Sequence, residues 1–85
     1  MSLKKKVKIR EVRLPDPKLG DTSKEGETYV IRINPKHYSE RSRMNTVVHE
    51  ALHVGDWDLT EKHIRTLTAY VVDVLWREGY RRTDK

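Results

Sequence analysis

Pro35 separates two hydrophobic rhythms, and this change of period constrains the fold more than any other feature of the chain. Before it, apolar residues recur at every second position. Residues 5 to 14 alternate Lys and Arg with Val7 and Ile9, then with Val12 and Leu14, with one slip near Glu11. The pattern predicts a half-buried strand with a bulge. Residues 28 to 34, TYVIRIN, are β-branched and aromatic and predict a second strand, with Val30 facing away from Tyr29, Ile31 and Ile33. Between them PDPKLGDTSKEGE reads as a loop or a ragged hairpin connection, with Gly20 and Gly26 placed where a turn wants positive φ. Two strands joined in this way suggest an antiparallel pair.

After Pro35 the period changes to that of a helix. Ser39 or Ser42 can cap a helix over about 40 to 54, with Met44, Val47, Val48, Ala51 and Leu52 as its apolar stripe and Gly55 as its stop. Asp58 followed by Glu61 has the form of a capping box that opens a second helix. Its stripe is Ile64, Leu67, Val71, Val74 and Leu75, with Trp76 at its flank and Gly79 at its end. The fold class is therefore α+β: an N-terminal antiparallel β-hairpin or small sheet, then an antiparallel two-helix hairpin. At 85 residues there is room for one domain, 1–85, with 1–6 and 81–85 expected to be flexible.

The chain has no cysteine, which excludes disulfides and thiolate metal sites, so any metal must sit on His, Asp or Glu. No apolar run reaches the length of a membrane span, which predicts a cytoplasmic protein without membrane contact. The net charge is +5, with Lys and Arg crowded at both ends. Such ends can attract nucleic acid by sequence-blind electrostatics, although Trp57, at a turn, and Trp76, on a helix flank, give little aromatic interleaving.

The segment TVVHEALHVGDWDLTEKH, residues 46 to 63, contains three of the four histidines. On a helix His49 and His53 lie four positions apart, with Cβ atoms about 5–6 Å from each other, so both imidazoles can aim at one ion. Both point away from the apolar stripe. Glu50 can reach water beside that ion without being a ligand. This is the division of labour that peptide hydrolysis needs: an ion to polarise the carbonyl and acidify water, and a carboxylate to take the proton and return it to the leaving amine. A short connection makes the helices antiparallel neighbours, so Glu61, in the first turn of the second, is the leading third ligand, ahead of Asp56 and Asp58. His63 falls on the opposite flank and reads as a surface histidine.

These residues resemble the zinc-dependent peptidases of the zincin type. VVHEALHVGDWDLTEKHI with VVDVLWREGYRR is similar to small metallopeptidase-like proteins of phages and bacteria, of gluzincin-like HExxH type. The resemblance covers about the last 45 residues well and the front loosely. It implies a minimal zincin-like core, bound Zn2+, His49, His53 and Glu61 as ligands, and Glu50 as the base. It also implies a peptide or protein substrate added as a strand along Tyr29, Val30, Ile31, Arg32 and Ile33. An oxyanion-stabilising donor is expected, with Tyr38, Tyr70, Tyr80, His37 and Arg65 as candidates. The chain departs from larger zincins in having no second subdomain to wall the cleft, which implies a shallow site or one completed by a homodimer. Against this stands a basic binding module for nucleic acid or a partner protein, with a structural or vestigial metal site.

Overall fold

A computed structural model describes residues 5–83. Three strands, β1 (Lys6–Glu11), β2 (Gly20–Glu25) and β3 (Thr28–Ile33), precede two helices, α1 (Glu40–Gly55) and α2 (Glu61–Arg77). The strands form one mixed sheet in the order β1-β3-β2. The α+β class holds, but the pairing differs from the expectation. β1 runs parallel to β3, with Ile9 beside Ile31, and the antiparallel partner of β3 is β2. The segment expected to be a loop thus supplies a strand. β2, GDTSKE, carries no apolar residue, so its sequence has no period to read. Its pairing is imposed by the tight turn at Gly26 and Glu27, where Gly26 takes φ 63°, as the first position of a type II′ hairpin requires. Gly20 does not have positive φ; its lack of a side chain serves a close approach described below.

Because β1 and β2 lie on opposite sides of β3, residues 12–19 must cross the end of the central strand. Asn34 secures that crossing. Almost wholly buried, it donates from Nδ2 to the carbonyls of Leu14 (3.2 Å) and Lys18 (2.9 Å). Its backbone N–H reaches Leu19 O at 2.8 Å, and its Oδ1 accepts from the Lys36 N–H. Replacing Asn34 by Ala removes the side-chain bonds and leaves buried carbonyls unpaired, a loss of about 2–4 kcal/mol. Urea denaturation of N34A should show a lowered midpoint; an unchanged midpoint would show that the crossing holds itself.

Ile31, Ile33 and Val54 form the core between sheet and α1, with Tyr29 and Val47 packed against them. Each fully buried aliphatic side chain contributes roughly 1.5–3 kcal/mol. The face that α1 buries is not the anticipated one. Its buried residues are Thr46, Glu50 and Val54, whereas Met44, Val47, Val48 and Leu52 are half-buried and Ala51 is exposed. A threonine and a glutamate replace aliphatic contacts there because β2 supplies close approach and a hydrogen-bond donor. In α2 the buried residues are Ile64, Thr68 and Val72, which leaves Leu67, Tyr70, Val71 and Val74 exposed as an apolar flank.

Helix boundaries follow local hydrogen bonding. Ser39 is the N-cap of α1, its Oγ accepting from the Ser42 N–H at 3.1 Å. Asp58 is not the cap of α2. Asp56 forms an Asx turn by accepting from the Asp58 N–H, and the helix starts two residues later, with Thr60 Oγ1 accepting from the His63 N–H at 3.2 Å. Parts of the end segments expected to be flexible are tied in: Lys6 begins β1, Lys5 Nζ donates to Val54 O at 2.7 Å, and Arg82 makes two bonds of 2.8 Å to Glu40. Residues 1–4 and 84–85 lie outside the described residues. Among the described residues no helix is long and apolar enough to cross a membrane.

Candidate metal centre

The site lies where α1, the first turn of α2 and the outer strand β2 meet. His49 and His53 stand one turn apart on α1, their ring centroids 5.1 Å apart in edge contact and their side chains about four-fifths buried. Glu61 is the first residue of α2, where the unpaired N–H groups of the helix start favour a carboxylate. Its two oxygens face the two imidazoles, His49 Nε2 to Oε2 at 3.3 Å and His53 Nε2 to Oε1 at 2.8 Å. One ligand atom from each of the three lies within 4.8 Å of the others, so the group could hold a metal ion. Two donors about 2.0–2.1 Å from a tetrahedral ion sit roughly 3.4 Å apart; the His49 contact is near that spacing, while the His53 contact, to the other carboxylate oxygen, is shorter. Two imidazoles with one carboxylate is also a donor set suited to a divalent ion with an open fourth position.

Among the described residues this is the one such group, and neither rival carboxylate belongs to it. Asp56 is engaged in the Asx turn, and Asp58 lies in the connection between the helices. His63 is exposed beside Thr60.

Glu50 is tied to the sheet and also lines the cleft that holds His49, His53 and Glu61. It is 8% exposed, and its Oε1 accepts a 2.6 Å hydrogen bond from Thr22 Oγ1. Gly20 makes this possible. A Cβ built on it would stand 2.6 Å from Thr46 Cγ2 and 3.5 Å from Glu50 Cγ, so only glycine lets β2 come this near α1. His49, Glu50, His53 and Glu61 line one open cleft of about 520 Å³, together with Gly20, Asp21, Thr22, Trp57 and Leu59.

The expected substrate strand is corrected by the topology. Tyr29–Ile33 is the central strand, hydrogen-bonded on both sides, and has no edge to offer. The edge beside the cleft belongs to β2, which among the described residues pairs with β3 alone. The oxyanion candidates also lie elsewhere. Tyr38, Tyr70, Tyr80, His37 and Arg65 are all absent from the cleft lining; Tyr38 is 99% exposed, and His37 Nε2 pairs with Thr46 Oγ1 at 3.0 Å. Sequence reasoning missed Thr22, Gly20 and Trp57. Trp57, 51% exposed, is tilted against Tyr29 with centroids 5.6 Å apart and walls the cleft between the two ligand-bearing helices. Its position between His53 and Glu61 was the available signal.

Two nearby groups have displaced titrations. The Arg32 guanidinium, donating from Nε and Nη2 to the two oxygens of Asp21, holds that carboxyl below the usual range against an opposing burial effect, with Lys18 assisting. Burial lowers the His37 imidazole, with the nearby Asn34 backbone opposing it and the charge of Arg43 assisting. A depressed folded pKa means that the unfolded chain takes the proton first. Stability should therefore fall as pH drops below the ordinary histidine value of about 6.5. It should fall again below about 3.9, where Asp21 protonates in the unfolded chain. Chemical denaturation across pH 7 to 5 should show a smaller loss in His37→Gln than in the unaltered chain, and equal losses would contradict the assignment. No protein-family model, curated protein or solved structure matches the chain.

Proposed function

We propose that this chain is a minimal zinc-dependent peptidase in which His49, His53 and Glu61 hold the ion and Glu50 is the general base. The observation that carries the reading is the convergence of both imidazole Nε2 atoms on the Glu61 carboxylate, in a cleft that also admits a separately held Glu50. The resemblance of the helix sequence to zincins supports it. Bound there, zinc would polarise a peptide carbonyl and acidify water.

The chain's own residues account for the remaining steps. Glu50 takes one proton from water as the water oxygen bonds to the carbonyl carbon, then delivers it to the nitrogen as the C–N bond breaks, leaving a carboxylic acid and an amine. The outer edge of β2 gives an extended peptide backbone a place to add as a fourth strand, with the scissile bond carried past Glu50. Trp57 and Leu59 offer apolar surface beside it.

Zinc-loaded protein should cleave an unstructured substrate such as casein. The cleavage should stop with 1,10-phenanthroline and return with added zinc. Chelator-insensitive cleavage, or none at any zinc level, would contradict the reading.

A second reading rests on β1. Lys6, Lys8 and Arg10 alternate with Val7 and Ile9 and so share the sheet face away from the helices. That cationic row suits sequence-blind binding to nucleic acid, with affinity that falls steeply with salt and does not depend on Glu50.

A further inference from the structure

We infer that Thr22 is a positioning residue for Glu50, fixing which carboxylate oxygen faces the reacting water; the inference rests on the peptidase reading. Among the described residues Glu50 is the sole buried side chain that carries a formal charge. Burying a carboxylate is unfavourable unless it is hydrogen-bonded, and nothing in the packing of a small core requires a glutamate at that point. The compensating donor is Thr22 Oγ1, 28 positions away in sequence and 2.6 Å from Oε1. A bond this short from a hydroxyl to a carboxylate is of the charge-assisted kind.

The geometry divides the two oxygens. Thr22 has one hydroxyl proton, which goes to Oε1 at 2.6 Å with the Glu50 backbone carbonyl a longer alternative at 3.4 Å, so among the described residues Oε2 is the carboxylate oxygen with no hydrogen bond. A β-branched side chain on a strand has few χ1 choices, so the donor is held in place before any substrate arrives. The make-up of β2 fits this role. In register with Ile33, Ile31 and Tyr29, its residues on the helix-facing side are Gly20, Thr22 and Lys24, none of which adds aliphatic packing. Gly20 lets the strand approach α1, and Thr22 uses that approach to hold Glu50. The outer strand and the proposed base are thereby coupled, so a peptide added to the β2 edge lies against the strand that aims the base.

The test uses the full chain with Thr22→Val, which keeps the shape and removes the hydroxyl, and Thr22→Ser, which keeps the hydroxyl. Three quantities are read: zinc per chain, kcat and KM for casein-derived peptides, and the affinity of the cobalt-substituted protein for acetohydroxamate from its visible spectrum. T22V should retain zinc and KM, lose roughly 10–100-fold in kcat, and bind acetohydroxamate several-fold more weakly. T22S should stay within about threefold of the unaltered chain in both. Wild-type kcat and hydroxamate affinity in T22V would overturn the inference. Equal impairment of T22V and T22S would overturn it too, because packing and not the bond would then be responsible. If T22V does not fold, Thr22→Ala takes its place under the same criteria. The peptidase reading fails separately, and takes the inference with it, if the unaltered chain binds no zinc or Glu50→Gln remains fully active.

Discussion

Glu50→Gln should abolish peptide hydrolysis while leaving zinc binding intact. The amide matches the carboxylate in shape and can still accept through its oxygen from Thr22 Oγ1, so the α1–β2 contact survives. It cannot take a proton from water at neutral pH, and removal of general-base catalysis costs on the order of 10²–10⁴-fold in rate. The metal group lacks Glu50, so affinity for the ion should change little. Buried Glu50 also leads to a second expectation that separates chemistry from folding. Because the isostere keeps the side chain's shape and the Thr22 bond, E50Q should melt close to the unaltered chain. A variant with lost activity, retained zinc and an undiminished melting temperature identifies a catalytic group; a variant that loses zinc or unfolds identifies a structural one.

Gly20→Ala should be among the most destabilising single-methyl additions. The new Cβ would meet Thr46 Cγ2 at 2.6 Å and the Arg32 carbonyl oxygen at 3.1 Å. Neither neighbour can move freely. Arg32 O belongs to the central strand, and Thr46 is buried on α1 with its hydroxyl bonded to His37. Forcing β2 and α1 apart should cost about 1–3 kcal/mol, and in a domain of this size each kcal/mol lowers Tm by roughly 4–8 °C. The same displacement would lengthen the Thr22–Glu50 bond, so the variant should lose activity beyond its loss of stability. Thr46→Ser removes the offending methyl and keeps the hydroxyl, so the double variant should recover a large part of the lost stability. In a double-mutant cycle, additive effects would show that the contact is not the cause.

What the sequence revealed and what it concealed have physical reasons. His49, Glu50 and His53 were legible because a helix turns a four-residue spacing into one direction, whatever the tertiary context. Glu61 was legible because a short connection forces the first turn of α2 against the last of α1. Ser39 and Gly26 were legible because capping and positive φ are local demands. β2 was hidden because its strand character comes from its turn and its neighbours, and GDTSKE holds no apolar residue to signal it. That omission misassigned β3 as an edge and β1 as its antiparallel partner. The α2 cap was misplaced because Asp58 and Thr60 both suit an N-cap, and the Asx turn at Asp56 decided between them. The burial of Glu50 and Thr46 was invisible because it depends on Gly20 and Thr22, which are far away in the chain.

His49, His53 and Glu61, from two helices, are proposed to bind one ion. Elemental analysis of dialysed protein, paired with zinc titration of the unaltered chain, His53→Ala and Glu61→Ala, tests it most directly. One zinc per chain in the unaltered protein, with affinity at least tenfold weaker in Glu61→Ala and lost in His53→Ala, is the predicted result. Zinc bound equally well by all three proteins, or by none, would contradict it.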